Sequence, residues 1–399
     1  MAPRQSEPTT ACDVFVVGAG LAGLAAAIGF ARAGRHVISC GPVERLGQGR
    51  TVSLLGGSID FLDRLGVWPE FAAHAAPLRT LRIIDDTGSL FAPRPVTFLA
   101  HEIGRDAFGW NVENADLAEA LEAAATRTDR LTRIPGKVAA FDFAPKGATL
   151  RLEDGRAFTA RLVVGADGRN SHSRGAAGIE ASLHRYPQGA LTVLLRHTRS
   201  HEDASSEFHT RQGPFTLVPL PPKAGAPFRS SLVWVMNEAE AARRAALDDA
   251  ALAGEIERQG RALLGAMTIE GVRGVFPMSR QSARSLVATR LALIGDAAHA
   301  FPPIGAQGLN LGLRDVEGLI AAGEAASDIG DAATLKRYAN ARRSDVALRS
   351  AAVDGLNRAL LAHLASVDAL RGLSLAALAC VGPLRRFAMR QGLASTLGR

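Results

Sequence analysis

The chain is short of cysteine, tyrosine and lysine. Its three cysteines, Cys12, Cys40 and Cys380, are odd in number and far apart. That spacing excludes a disulfide framework and a zinc-ligand set, and it fits a reducing cytoplasm. Only four of the 46 basic residues are lysine, so arginine carries the surplus of +7. The arginines form no long run, and no aromatic residues interleave with them. Nucleic-acid binding needs a clustered basic patch and is not expected. The 41 glycines and 19 prolines show no period, which excludes a fibrous repeat. No internal repeat or low-complexity linker is present either. At 47% hydrophobic and 21% charged residues, the chain is not a disordered one. Its 399 residues suffice for two or three domains of roughly 150 residues each.

A positively charged leader is also missing. Residues 1–13 carry Glu7 and Asp13 against Arg4, and an unbroken apolar run of 18 residues then extends from Val14 to Ala31. Such a run is long enough for a membrane span or a signal sequence. Gly18, Gly20, Gly23 and Gly29 divide it, and the pattern predicts a buried strand, a turn and a helix.

The pass along the chain extends this picture. Cys12–Val17 is predicted as a strand, Leu21–Ala33 as a helix closed by Gly34, and His36–Cys40 as a second strand. Helices are predicted over Ser58–Leu65 and Asn114–Ala125. A hairpin is predicted over Leu81–Ala92, with Gly88 in its turn, and another around Glu153–Arg156. Leu162–Ala166 and Leu291–Ile294 read as separate buried strands. Between about 183 and 280 the pattern becomes sheet-rich, with Leu191–Leu195, Phe215–Val218 and Ser231–Met236 at strand length and one helical stretch near 238–263. A helix from about 308 to 324 follows, and the last 70 residues or so read as helical.

Three segments carry chemistry. Gly18-Ala19-Gly20-Leu21-Ala22-Gly23 matches G-x-G-x-x-G between a buried strand and a helix. The glycines allow a tight turn, approach to a pyrophosphate and close helix–strand packing. The helix N-terminus offers unpaired N–H groups to phosphate. The pattern alone is weak, but its position points to a dinucleotide. The acidic ribose partner is absent, because Gly41 holds that position; Glu44 follows three residues later. Glu44 reads equally well as a ribose ligand or a solvated loop carboxylate. The second segment is Val163–Arg174, and the third runs from Leu293 through Gly295-Asp296 and His299 to Asp315. In both, a buried strand delivers an Asp flanked by Gly to a strand end, where ligands of α/β sheets bind.

In order and spacing these segments resemble the single-component FAD aromatic hydroxylases with the p-hydroxybenzoate hydroxylase fold. Asp167, Gly168, Ser171 and Arg174 match the pattern D-G-x-x-S-x-x-R, and Gly295-Asp296 matches the G-D motif. Gln307–Asp315 resembles the signature loop of the ubiquinone-biosynthesis hydroxylases. Phe108–Asn114, Arg50, Leu65–Trp68 and the spaced Tyr338, Arg342 and Asp345 are similar to that family as well. The likeness covers nearly the whole chain. It departs at Gln48, where the family often has Asp, and at Gly305-Ala306-Gln307-Gly308, where one glycine of G-Q-G has moved back.

The resemblance implies an α/β fold with a Rossmann-like FAD-binding domain, interleaved with a sheet-rich substrate domain and a helical C-terminal region. The expected boundaries are 1–75, 100–182 and 275–340 for the first, 76–99 and 183–274 for the second, and 341–399 for the third. It further implies an FAD-dependent monooxygenase. FAD would be reduced by NAD(P)H or a carrier protein acting transiently, and would react with O2 to a flavin hydroperoxide. The ring of a polyprenylated phenol on the ubiquinone pathway would then be hydroxylated. Residues carried over as cofactor contacts are Gly18, Gly20, Gly23, Arg50, Asn114, Asp167, Asp296, Gly308, Leu309 and Asn310. No metal and no catalytic side chain is assigned. His299 reads either as a catalytic group or as a packing residue beneath the loop, and Arg50 either as a flavin contact or as a surface ion pair. His172 and Arg174 read as loop-ordering or cofactor-contacting groups.

Three other functional readings stay open on the sequence. They are the same chemistry on a small soluble aromatic, a non-catalytic FAD-binding assembly component, and a non-flavin dehydrogenase. The protein is expected in the cytoplasm. Leu373–Leu397, with Arg385, Arg386 and Arg390, is either a packing helix or a peripheral contact to the inner membrane or a biosynthetic complex.

Overall fold

The computed structural model describes residues 10–42, 49–88, 94–302, 307–361, 377–378 and 380–393, without the side chains of 348–361 and 391–393. The apolar run near the N-terminus forms β1 (Thr10–Val17) and α1 (Leu21–Arg32), and β2 (Val37–Gly41) follows. Helix α1 is buried on all sides from Gly23 to Ala31, as expected of a helix that is apolar all round. Among the described residues, no helix is long and apolar enough to cross a membrane.

The chain continues through β3 (Thr51–Leu55), α2 (Gly56–Arg64), α3 (Trp68–Phe71), β4 (Ala75–Pro77), β5 (Thr80–Asp85) and β6 (Val96–Leu99). Next come β7 (Gly109–Glu113), α4 (Asn114–Thr126), β8 (Leu131–Pro135), β9 (Val138–Ala144), β10 (Gly147–Leu152) and β11 (Ala157–Gly165). The middle of the chain holds α5 (His172–Ala176), β12 (Ala181–His197), β13 (Ala204–Thr210), β14 (Gly213–Leu220) and β15 (Arg229–Asn237). It closes with α6 (Glu238–Ala245), α7 (Asp249–Gln259) and β16 (Met267–Ala283). The last elements are β17 (Val287–Ala288), β18 (Leu291–Leu293), β19 (His299–Ala300), α8 (Gln307–Gly323), α9 (Ala332–Leu361) and α10 (Gly382–Leu393).

These strands form three sheets. The first has the order β17-β18-β11-β1-β2-β8, with β10 and β9 branching from β11. Its inner pairs are parallel, and helices α1, α4 and α8 cover one face around a core that includes Val14, Leu24, Ile28, Leu121 and Leu313. The second has the order β19-β16-β12-β15-β14-β13-β5-β6. Helices α6 and α7 cover one of its faces through Phe215, Leu217, Trp234, Leu252 and Ile256. Its other face is turned toward the first sheet. The third, β3-β7-β4, lies between them. Fully buried Arg229 ties it to the second by pairing with Glu113 and Glu270 at 2.9 and 2.6 Å.

Four expectations change in detail. The segments predicted as a hairpin arm and as a separate strand at 162–166 are one strand, β11. It pairs with β10 over its first half and with β18 over its second. The hairpin at Gly88 returns through β6, which begins at Val96; residues 89–93 lie outside the described residues. The helical stretch near 238–263 is two helices, because Asn237 and Asp248 each cap a new N-terminus through Glu240 N–H and Ala251 N–H. Strands β13 and β16 lie where the sequence showed no strand signal. Exposed Val272 and polar Arg280 and Gln281 in β16 hide its alternation.

Candidate active site

The glycine turn sits between β1 and α1. Gly18 has φ +115°, and its N–H donates to Cys40 O at 2.7 Å. A Cβ there would lie 2.3 Å from Ala166 O, and one at Gly23 would lie 2.2 Å from Gly18 O. Gly20 is different, since a Cβ there would meet no protein atom within 4 Å. Gly18 and Gly23 thus serve the turn itself, and Gly20 keeps open the space in front of α1. Gly41 abuts the same turn: its Cβ would come within 2.5 Å of Ala19 N. A ribose-binding acid cannot stand there without a backbone shift. Glu44, Gln48, Gly305 and Ala306 lie outside the described residues.

Asp167 leaves β11 at the neighbouring strand end. It accepts from Ser171 Oγ at 2.5 Å, Ser173 N–H at 2.9 Å and Ser173 Oγ at 2.7 Å. Arg174 donates to Ala297 O at 2.8 Å and Arg169 O at 3.0 Å. The D-G-x-x-S-x-x-R segment is therefore a brace that ties its own loop to the Gly295-Asp296 loop. His172 belongs to it, with Nδ1 3.1 Å from Val138 O and its ring edge-on to Phe141.

Under the Gly295-Asp296 loop lies a buried charge network. Asp315, with no exposed side-chain surface, accepts from Gly295 N–H at 3.0 Å and Arg342 Nε at 2.8 Å. His299 Nε2 lies 2.7 Å from Oδ2, the oxygen that accepts from Gly295, while Arg342 takes Oδ1. Arg342 also donates to Asp345 at 2.8 Å, and Tyr338 Oη donates to Leu293 O at 2.7 Å. Burial pushes the Asp315 carboxyl up, but His299 and Arg342 beside it outweigh that and hold it below its usual range. His299 is buried and does not face the cavity described next, which favours the packing role.

One cavity of about 810 Å3 joins these parts. At one end it is lined by Gly20, Gly23, Arg50, Asn114, Asp296, Gly308 and Leu309, and at the other by Leu81, Ile83, Phe98, Phe108 and Met389. The inward face of the second sheet forms its floor through Ser205, Glu207, Thr216, Val218, Ser231 and Val233. Arg50 lies over the Phe276 ring at 4.1 Å; the described residues give it no ion pair. Asp296 is exposed and lines this cavity. Protein around it pushes its carboxyl above the usual range, although Arg169, His299 and Arg50 act the other way.

Gly18, Asp167 and Asn310 stand one step behind the lining. Asn310 accepts from Leu55 N–H at 2.9 Å and Ser58 Oγ at 2.7 Å, and donates to Ser53 O at 2.8 Å. It pins α8 to β3 and α2. The sequence did not single out Asn111, which is buried and donates to Pro219 O at 2.9 Å and Ser231 Oγ at 3.2 Å. It stands within Phe108–Asn114, which could have pointed to it. Cys12 and Cys40 do not line the cavity, and burial pushes their thiols up to about 12 and about 11.

The glycine end fits a flavin dinucleotide. No side chain caps α1, and no acidic residue stands in the first turn of α1 or α8. Both N-termini therefore present N–H groups and positive dipole ends to the cavity. Asn114 Oδ1 is buried there without a partner. Fold and site together define a flavin-dependent monooxygenase of the aromatic-hydroxylase class.

The comparisons agree. The family model described as FAD binding domain matches residues 11–351. Ubiquinone hydroxylase UbiL of Rhodospirillum rubrum is 33% identical over 394 residues, spanning 96% of this chain and 90% of that protein. The 3-demethoxyubiquinol 3-hydroxylase of Escherichia coli is 31% identical over 362 residues, spanning 88% and 89%. In fold, the chain is similar to p-nitrophenol 4-monooxygenase PnpA from Pseudomonas putida, with a TM-score of 0.79, 19% identity and coverage of 96% and 98%. The chain belongs to this FAD-binding family of aromatic hydroxylases, together with the ubiquinone hydroxylases.

Proposed function

We propose that this enzyme hydroxylates the aromatic ring of a polyprenylated phenol in ubiquinone biosynthesis. The observation that supports this reading is the shape of the cavity. It leads from the glycine turn and Asp296 to an end walled by Leu81, Ile83, Phe98, Phe108 and Met389. An aromatic head would lie beside the flavin, and an isoprenoid tail would bury apolar surface against those side chains at about 25 cal/mol per Å2. A small polar acid would leave that end unfilled.

FAD, when bound, supplies the oxygen-activating redox chemistry. In this reading the first turn of α1, with Gly18, Gly20 and Gly23, takes the pyrophosphate. Asp296 accepts hydrogen bonds from sugar or ribityl hydroxyls. Gly308 and Leu309 present the α8 N-terminus to the electron-poor edge of the ring, where its dipole favours negative charge. Arg50, held over Phe276, and Asn114 complete the cofactor shell, while Asp167 and Asn310 fix the loops behind it. Electrons come from a nicotinamide or carrier protein that binds transiently. Helix α10 carries exposed Val381, Leu384 and Phe387 beside it or within it and lends Met389 to the cavity. It is the proposed contact with the membrane that holds the substrate.

The test is the quinone-lipid profile, by mass spectrometry, of a strain lacking this gene. Accumulation of a prenylated phenol short of ring oxygens is expected. A normal ubiquinone profile, with no related gene to compensate, would move the substrate to the soluble aromatics.

A further inference from the structure

The floor of the cavity carries one acid remote from the cofactor end. Among the described lining residues the charged ones are Arg50, Asp296 and Glu207, and the first two stand beside the glycine turn and the Gly295-Asp296 loop. Glu207 lies in the middle of the sheet face, between Ile83 on β5 and Thr216 on β14. Among the described residues no Lys or Arg pairs with it. Its Oε1 accepts from His209 Nε2 at 2.7 Å, and the His209 side chain is 5% exposed. The other ring nitrogen, Nδ1, is buried without a hydrogen-bond partner. Residues two apart on a strand share a face, so the imidazole backs the carboxylate and the carboxylate meets the cavity.

Packing alone does not call for this pair. A carboxylate next to apolar surface is expensive unless it is paired, and a threonine or glutamine would serve the sheet equally well. Polar groups set in an otherwise apolar cavity cluster at sites of chemistry.

We propose that Glu207 is a catalytic residue that takes the phenolic proton of the substrate, with His209 as the positioning residue behind it. The inference rests on the phenol-hydroxylase reading above. The substrate O–H bond breaks as the ring is attacked. Its proton passes to the free oxygen of Glu207, and the electron pair stays on the phenolate oxygen. That pair raises electron density at the ortho and para carbons, where the terminal oxygen of a hydroperoxide, supplied by the FAD and O2 chemistry of the reading above, adds as OH; its O–O bond breaks, and the other oxygen leaves with the bonding pair. The ring carbon then loses its hydrogen as a proton to that departing oxygen, the ring is aromatic again, and Glu207 returns its own proton to the phenolate. The carboxylate is regenerated, and no further oxidant or reductant is needed. In water a phenol near 10 and a carboxylic acid near 4.3 are far apart, so the transfer accompanies the attack and does not precede it. His209 fixes the carboxylate by donating from Nε2.

The other titratable groups around the pair are few. Opposite His209 on β5 stands Asp85, whose carboxylate takes the N–H and hydroxyl of Thr87. The β14 residues opposite the pair are Thr216 and Pro214, which do not titrate. Arg50 and Asp296 share the cavity itself.

The test uses the full-length FAD-loaded enzyme and two probes. One is a phenol with a short isoprenoid tail, and the other is its nitro-substituted analogue, already ionised at neutral pH. For Glu207→Gln we expect unchanged flavin content and melting temperature, and a fall in hydroxylation of the first probe by about a hundredfold or more. The remaining activity should climb with pH as the phenol ionises unaided. The ionised probe should be hydroxylated at near the wild-type rate. Glu207→Asp should recover at least a tenth of the activity, and His209→Asn should shift the pH profile without loss of flavin. A Glu207→Gln enzyme within threefold of wild type, or one equally impaired on both probes with an unchanged pH profile, overturns the proposal. A wild-type enzyme that hydroxylates neither probe nor any prenylated phenol removes the functional reading, and the proposal with it.

Discussion

Replacing Asp315 by Asn tests the buried network directly. Its carboxylate has no exposed surface and meets three groups, Gly295 N–H at 3.0 Å, His299 Nε2 at 2.7 Å and Arg342 Nε at 2.8 Å. Asparagine keeps the shape but removes the charge, and one of its two heads becomes a donor facing a donor. Removing one partner of a buried pair costs about 3–5 kcal/mol. Arg342 retains Asp345 at 2.8 Å, so the low end, about 3 kcal/mol, is expected. At roughly 2.1 cal/mol/K per residue, the unfolding entropy of this chain is on the order of 0.8 kcal/mol/K, and the melting temperature should fall by about 4 °C. Calorimetry of the purified protein reads this. The pair Arg284–Glu180 is the control, because both side chains are about three-quarters exposed, at 75% and 74%. Arg284→Ala should change stability by less than about 0.5 kcal/mol. The pH dependence has a defined sign. The folded carboxyl lies below its usual value, so its contribution is complete above the unfolded pKa of about 3.9 and fades as pH falls through the lower folded value. The gap between wild type and Asp315→Asn should therefore hold from neutral pH to about 5 and close below that. A shift no larger than that of Arg284→Ala would refute the assignment of this network as a support of the loop.

Four further outcomes are expected. Gly20→Val should fold with a normal apoprotein melting temperature, since no protein atom lies near its Cβ, yet bind FAD at least about tenfold more weakly by fluorescence titration, or about 1.4 kcal/mol; normal affinity would place the pyrophosphate elsewhere. Asp296→Ala should be purified without its yellow cofactor, and so should Gly308→Pro, which deletes a first-turn N–H at little cost to the helix. A normal absorbance ratio at the flavin band counts against both. Phe98→Asp puts a charge in the apolar end of the cavity and should raise KM for a prenylated phenol well above that for the tailless ring; equal effects would remove the tail from that end. Deleting 383–399 should reduce sedimentation with anionic vesicles, and unchanged binding of a folded truncation would end the membrane role of α10.

Much of the scaffold was legible because its signals are local. The strand–turn–helix at Val14–Ala31 follows from apolar residues and glycine spacing. The hairpin at Gly155 and the helix at Asn114 follow from turn chemistry and a period of 3.6. The two Asp–Gly loops were visible for the same reason. Asp167 shows what local reading leaves open. Its strand-end position suggested a ligand, whereas Ser171 and Ser173 occupy its carboxylate; the serine spacing beside it was the signal for a capped short helix. Strands β13 and β16 carry little local signal: β13 is largely polar, and β16 pairs with the distant β12. Strand β13 pairs with β14 through a short turn but also with β5 across more than a hundred residues, and its Ser205 and Glu207 are polar because they face a cavity, not a core.

By itself, then, the sequence determined the family, the glycine turn between β1 and α1 and most of the elements, since those depend on residues close together in the chain. Only the tertiary structure decided which faces meet. It placed Tyr338, Arg342 and Asp345 beneath the Gly295 loop, set Asn111 and Asn310 as pins between elements, and turned Glu207 toward the cavity with His209 behind it. Periodicity tells a side chain which face of its own element to occupy, but the charge or cavity opposite is set by packing between segments far apart in sequence.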